Sequence, residues 1–376
     1  MMNLRKLKKA IFNPGYFFRD FFIKRYPLLQ NQNNVKFLSE EILLENEKVL
    51  LGSFDPGFAI DLVYTWVNSN DTNWLESKNL HIQSADSNIE NFSTDESRFE
   101  NHNEIFYSLL GVAKYMPWVR NIFIISDNQL PKIPESLVSK IKVIDHKQII
   151  PLRFLPTYNS HVIEAYLHKI PGLSENFIYF NDDFFVSRPV KPSHFYRSNG
   201  LCSIFVSAKS LEDMNRKGVS TATLTASNNC NKLLMENFNI SFDTPLTHTY
   251  VPLKKSAYNL AFDVFEKQIE EFSGNKFRGD NDLNMATFLV PYLQYIKGIA
   301  TPHLDISYYF NIRSPNAKSL YKNLMAVKNT SNAPHSFCAN DFNAVNFKQN
   351  TNYKLELQDF LKNTLHIDIY TVNGFL

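Results

Sequence analysis

Four short β-rich apolar runs, each separated from the next by intervening chain, constrain this sequence more than any other feature. They are Ile60-Asp61-Leu62-Val63-Tyr64-Thr65-Trp66-Val67, Asn121-Ile122-Phe123-Ile124-Ile125-Ser126, Lys142-Val143-Ile144-Asp145 and Phe177-Ile178-Tyr179-Phe180. Helical stretches are predicted between them at residues 103–115 and 161–169. Strands alternating with helices make βαβ units, and βαβ units make a mainly parallel sheet. The expected class is therefore α/β.

Around this core the chain divides into four stretches. Residues 1–58 read as a basic amphipathic N-terminal segment and a linker, with a short helix near 38–47. Residues 59–204 carry the α/β part, interrupted by a polar loop at 84–97. Residues 205–300 read as a mostly helical subdomain beside the sheet, with helices expected at 231–237, 255–272 and 282–296. Residues 301–376 form a C-terminal part that completes the α/β unit.

Charge excludes some partners. A net charge of +2 spread over 376 residues argues against a nucleic-acid coat. Only 11 glycines are present, and no Walker loop, GxGxxG or GxSxG motif occurs. Three cysteines without a CxxC pair support neither a disulfide framework nor a zinc ribbon, so the expected compartment is the cytoplasm. No run reaches the ~18 apolar residues of a spanning helix. The first 27 residues combine Arg5, Lys6, Lys8, Lys9, Arg19, Lys24 and Arg25 with seven apolar side chains, among them Phe17, Phe18, Phe21 and Phe22. Such a segment can lie on an anionic membrane face, here the inner membrane, or its rings can dock on the protein's own core.

Candidate chemistry gathers at strand and helix ends. Asn181-Asp182-Asp183 ends an apolar strand, where ligands of open α/β sheets bind. Two adjacent acids there can hold Mg²⁺ or Mn²⁺ against a diphosphate, although Asn-Asp-Asp is also good turn chemistry. Trp66 and Tyr64 could stack on a base or simply pack in the core. His161, Glu164 and His168 share a helix face and could form a metal or acid–base cluster. His248 lies in irregular chain, as acid–base histidines often do. Arg278 precedes a helix expected to begin near Asp282, and could clamp phosphate or pair at the surface while Asn281 or Asp282 caps the helix.

Together these residues resemble the Stealth family of sugar-1-phosphate transferases. Ile60 to Asn68 resembles its first signature block. Arg98-Phe99-Glu100, Glu104, Pro117 to Ile122, Leu155-Pro156-Thr157, Asn159 to Glu164, His168 to Ser174 and Phe177 to Asp183 resemble the second. His248 to Pro252 with Phe277-Arg278 and Asp282 resembles the third, and Phe337-Cys338-Ala339-Asn340-Asp341 the fourth. The likeness is strongest to bacterial capsule polymerases of the meningococcal serogroup X type, and extends to the animal lysosomal-enzyme GlcNAc-1-phosphotransferase.

The resemblance implies a GT-A-like nucleotide-sugar-binding sheet and a UDP-GlcNAc-type donor. It implies transfer of hexosamine-1-phosphate to a hydroxyl of a growing capsular glycan, with release of UMP. Carried over residue by residue, Asp183, His248, Arg278 and Glu164 are catalytic. Asp182, Asp183 and Asp282 are expected at Mg²⁺ or Mn²⁺. Thr65, Trp66, Asn68, Arg98, Glu104, Asn181 and Asn340 are expected at the donor. The sequence departs from the family pattern at Asn228, at Tyr250-Val251 and at Phe342.

Overall fold

The computed structural model describes residues 54–83, 102–342 and 350–365, with a few positions between 11 and 46. The predicted loop at 84–97, Arg98 and most of the N-terminal segment lie outside the described residues. Ile11 and Phe18, within that segment, are exposed. No helix among the described residues is long and apolar enough to cross a membrane.

The described strands are β1 Ile60–Thr65, β2 Ile122–Ser126, β3 Ile141–Asp145, β4 Asn176–Asn181, β5 Phe184–Val186, β6 Cys202–Phe205, β7 Val251–Lys254, β8 Ala300–His303, β9 Ser307–Asn311 and β10 Ser336–Asn340. The central sheet runs β3-β2-β1-β4-β7. Its first four strands are parallel, as expected, and β7 joins β4 antiparallel at the edge. From β1 the chain builds outward to β2 and β3 on one side, then returns to add β4 on the other. The order therefore reverses between β1 and β4, and the crevice at their carboxyl ends is where such sheets bind ligands.

Alternation along the strands supplies two cores. Leu62, Tyr64, Ile124, Ile178 and Phe180 pack on one face with the helices Glu104–Tyr115, Ala317–Val327 and Tyr353–Leu365. Val63, Phe123, Ile125, Phe177 and Tyr179 pack on the other with the helices Ala222–Phe238, Lys255–Ser273 and Val290–Ile296. Burial on both faces is why these strands read as near-continuous apolar runs. Gly111 permits a close approach, since a Cβ there would stand 3.0 Å from the Val186 carbonyl oxygen of β5.

Asp61 is the exception in β1, a fully buried acid. Its Oδ1 accepts from Arg120 Nε at 2.8 Å and from the Asn121 amide at 3.1 Å. Its Oδ2 accepts from Arg120 at 2.5 Å and from the Ser174 amide at 2.7 Å. It thus ties the β1, β2 and β4 entry loops together. Asp61→Ala strands those donors, and chemical denaturation should show a loss of about 3 kcal/mol of stability.

The predicted helical stretch 205–300 contains more than helices. β7 sits inside it because Val251-Pro252-Leu253-Lys254 completes the sheet edge. The helix expected from Asp282 begins instead with a π-helical turn, Met285–Leu289. Neither Asn281 nor Asp282 caps it. Asn284 does, its Oδ1 accepting from the Thr287 amide and hydroxyl. A second sheet, β5-β10-β9, abuts the first, with β10 antiparallel to β5 and parallel to β9.

Candidate active site

Topology delivers the site residues to one rim. Parallel β1 and β4 end side by side, with Thr65 in register with Asn181. An antiparallel edge strand starts where its parallel neighbour ends, so the chain entering β7 passes this rim and brings His248 to it. The pairing Cys338↔Phe184 brings the end of β10 there as well.

Asp183 stands at the centre. Its Oδ2 accepts from Asn340 Nδ2 at 3.0 Å and from the Cys338 thiol at 3.2 Å. Its Oδ1 is buried and has no hydrogen-bond partner among the described residues. Ligand atoms of Asp183, His248 and Cys338 lie within 4.8 Å of one another. Burial and the charge of Asp183 push the neighbouring Asp182 up to about 7. Burial, with the charge of Asp182, pushes Glu104 well above the usual carboxylate range. Glu104 also accepts from the His102 amide at 2.6 Å. The three carboxyl groups thus feel one another's charge, and the bare oxygen of Asp183 offers a donor for a hard divalent cation. Burial and Asp183 hold Cys338 as a neutral thiol, which suits a hydrogen-bond donor rather than a metal ligand. The residues therefore fit Mg²⁺ or Mn²⁺ bound through carboxylate oxygen.

His248 is half-buried, its ring set edge-on between Phe184 at 5.1 Å and Tyr309 at 5.4 Å. Burial lowers its pKa, Asp183 offsets part of this, and Lys209 and Arg278 lower it further. A neutral imidazole results, able to accept a proton. Its backbone amide donates to Gln32 Oε1 at 2.8 Å.

Beside it lies a second set of charges. Arg278 donates to Ser160 Oγ at 2.6 Å. It feels the opposite charges of Glu164 and Asp282. Glu164 is buried, and burial raises it to about 7 against the pull of Arg278 and hydrogen bonds with Tyr179 and Ser160. Tyr179 links onward, its hydroxyl bonding Thr65 Oγ1 at 2.9 Å and Asn181 Oδ1 at 2.7 Å. Arg278 is placed by the Tyr158 amide bonding the Lys276 carbonyl at 2.8 Å and by the Tyr158–Phe277 ring stack at 5.3 Å.

Several expectations are corrected. Asp282 does not join Asp182 and Asp183 around one centre. It is fully buried, and its oxygens are taken by Asn159 Nδ2 at 2.8 Å, His161 Nδ1 at 2.8 Å and Asn275 Nδ2 at 2.7 Å. The His161–Glu164–His168 cluster does not form either. His161 turns to Asp282, while His168 stacks on Tyr258 at 5.2 Å in the core. Tyr64 is fully buried with its hydroxyl on Ser108, so it offers no stacking face. Trp66 is buried too, but its indole nitrogen has no hydrogen-bond partner among the described residues. Asn68 Oδ1 accepts from the Asn70 amide at 3.1 Å, a turn role. Cys338, Tyr179, Ser160 and Lys209 are neighbours of the site that sequence reasoning did not single out. The first lies in the fourth signature block, which was its one available signal.

Comparison with known proteins places this chain in a family. Residues 58–80 match Stealth protein CR1, conserved region 1, and residues 98–204 match Stealth protein CR2, conserved region 2. The chain is 48% identical over 349 residues to capsular polysaccharide phosphotransferase fcs1 of Haemophilus influenzae, covering 91% of this chain and 96% of that protein. It is 47% identical over 374 residues to a capsular polysaccharide phosphotransferase of Neisseria meningitidis serogroup B, covering 98% and 100%. Among solved structures, the galactosyltransferase LgtC with donor and acceptor sugar analogues aligns at 9% identity and TM-score 0.39, over 82% of this chain and 98% of that one. Mouse xyloside xylosyltransferase 1 aligns at 11% identity and TM-score 0.36, over 75% and 98%. With relatives this similar along nearly its whole length, the chain belongs to the Stealth family and is a transferase enzyme.

Proposed function

We propose that this enzyme transfers hexosamine-1-phosphate, GlcNAc-1-phosphate from UDP-GlcNAc in the first instance, to a hydroxyl of a growing capsular glycan. The product is a phosphodiester-linked polymer, and UMP leaves. The observation that carries this reading is the placing of Asp183, one of whose buried carboxylate oxygens is bare among the described residues, beside a neutral imidazole on His248, with ligand atoms of the two side chains within 4.8 Å at the sheet's switch point. Phosphoryl transfer needs little covalent help from protein. It needs alignment, charge neutralisation and a base for the attacking hydroxyl.

Asp183 and Asp182 would hold Mg²⁺ or Mn²⁺, which when bound neutralises charge on the donor diphosphate. Asn340 and Cys338 fix the rotamer of Asp183 by bonding its other oxygen. His248 takes the proton of the acceptor hydroxyl as that oxygen attacks the sugar-side phosphorus. Arg278 binds the transferring phosphate, and Glu164 with Ser160 orients its guanidinium. Thr65, Trp66, Asn181 and Glu104 contact the donor, and the family pattern assigns Arg98, outside the described residues, to the same role. The N-terminal segment gives a peripheral membrane contact on the cytoplasmic face.

The test is the nucleotide released. Incubation with UDP-GlcNAc, a glycan acceptor and Mg²⁺ should yield UMP and a ³¹P phosphodiester signal in the product. Release of UDP instead would make this an ordinary metal-dependent glycosyltransferase and overturn the reading.

A further inference from the structure

We propose that His194, Asp305 and His335 form a second metal site, structural rather than catalytic, for a zinc-type divalent transition-metal ion buried behind the crevice. The three residues come from separate parts of the chain. His194 lies in the short helix Pro192–Phe195, Asp305 in the link between β8 and β9, and His335 immediately before β10. All three are buried, to 2%, 1% and 3% exposure. One ligand atom from each falls within a common 4.8 Å sphere of separations.

The spacing fits coordination. His194 Nε2 lies 3.0 Å and His335 Nδ1 2.9 Å from the same oxygen, Asp305 Oδ1. Ligands on a tetrahedral ion with bonds of about 2.0–2.1 Å stand roughly 3.3 Å apart, so slight expansion opens the centre. The Tyr250 hydroxyl reaches the same oxygen at 2.9 Å and approaches His194 Nε2 at 3.4 Å, beside the fourth position.

The Ile306 amide lies 3.1 Å and Asp305 Oδ1 2.9 Å from His335 Nδ1, so with the imidazole neutral its Nδ1 lone pair can face a cation held by Asp305. Two imidazoles and one carboxylate suit zinc-type ions, whereas Mg²⁺ prefers all-oxygen shells. The Asp305 carboxylate is further supported through Ser336, whose hydroxyl bonds Thr249 at 2.7 Å and Ser307 at 3.1 Å.

The position gives such an ion a purpose. Tyr250 lies two residues after His248, and His335 three before Cys338. An ion here would pin the strands β7 and β10 at the points where they deliver His248 and the partners of Asp183.

The experiment uses untagged full-length protein, stripped with chelator, reloaded with Zn²⁺ and gel-filtered, with metal counted by mass spectrometry. One zinc per chain is expected, with a melting temperature several degrees above the stripped protein. Asp183→Asn should retain the zinc, and His194→Ala with His335→Ala should lose it. Should that double variant not fold, Co²⁺ loaded into the wild type provides the second reading. Visible bands of tetrahedral cobalt support the site, and a featureless spectrum overturns it. Substoichiometric zinc without a thermal shift, or zinc lost equally from Asp183→Asn, also overturns it.

Discussion

Asp183→Asn should abolish transfer, lowering the initial rate of UMP release about a thousand-fold while circular dichroism and melting behaviour stay close to wild type. The substitution keeps the size of the side chain, and its amide oxygen can still face Asn340 and Cys338. What it removes is the charge beside a bare buried oxygen that nothing else in the described protein satisfies. Excess Mn²⁺ should restore little, because a neutral amide is a poor ligand for a hard cation. A residual rate within about ten-fold of wild type would show that Asp183 does not carry the metal.

His248→Gln should be nearly as damaging, by a factor of about 10²–10⁴ in kcat, the range of a lost general base. The pH profile then separates two candidates. Burial keeps the His248 pKa below its ordinary 6.5, so its working neutral form persists at pH 7. The rate should stay flat near neutrality and fall only as pH drops below that ordinary value. Glu164 is raised to about 7 and would give an acid limb there. If Glu164 only orients Arg278, no limb stands near 7, and Glu164→Gln should raise KM for the donor and keep the fall below the ordinary histidine value. Disappearance of the limb in that variant would transfer the base role to Glu164.

The comparison of sequence with structure has a physical pattern. Asp182 and Asp183 were legible because an apolar run that stops in acids marks a strand end, and strand ends of parallel sheets meet at one rim. His248 was legible as a loop histidine, but its arrival at that rim depends on β7 running antiparallel, which no local pattern encodes. Asp282 was misassigned for a related reason. It lies four residues from Arg278 in the chain, yet the turn between them sends Arg278 toward Ser160 and Asp282 inward to Asn159 and His161. The helix expected at 282–296 lost its first turn because Asn284, with two hydrogen bonds to Thr287, starts it later. The contact of Cys338 with Asp183 spans 155 residues, so local spacing could not supply it. The family pattern implied what spacing could not, a grouping of Glu164, His248 and Arg278 with the Asp pair.

The pairing of β5 with β10 also bears on how the enzyme comes into being. Asp183 leaves the ribosome long before Asn340, the residue 157 positions later that holds its carboxylate. The parallel strands β1 to β4 can pair early, but closing the long loop that brings in β10 is slow and comes late. A nascent or C-terminally truncated chain therefore carries its acids without the groups that aim them. Catalytic competence arrives with the last strand, so activity reports completion of folding rather than its onset.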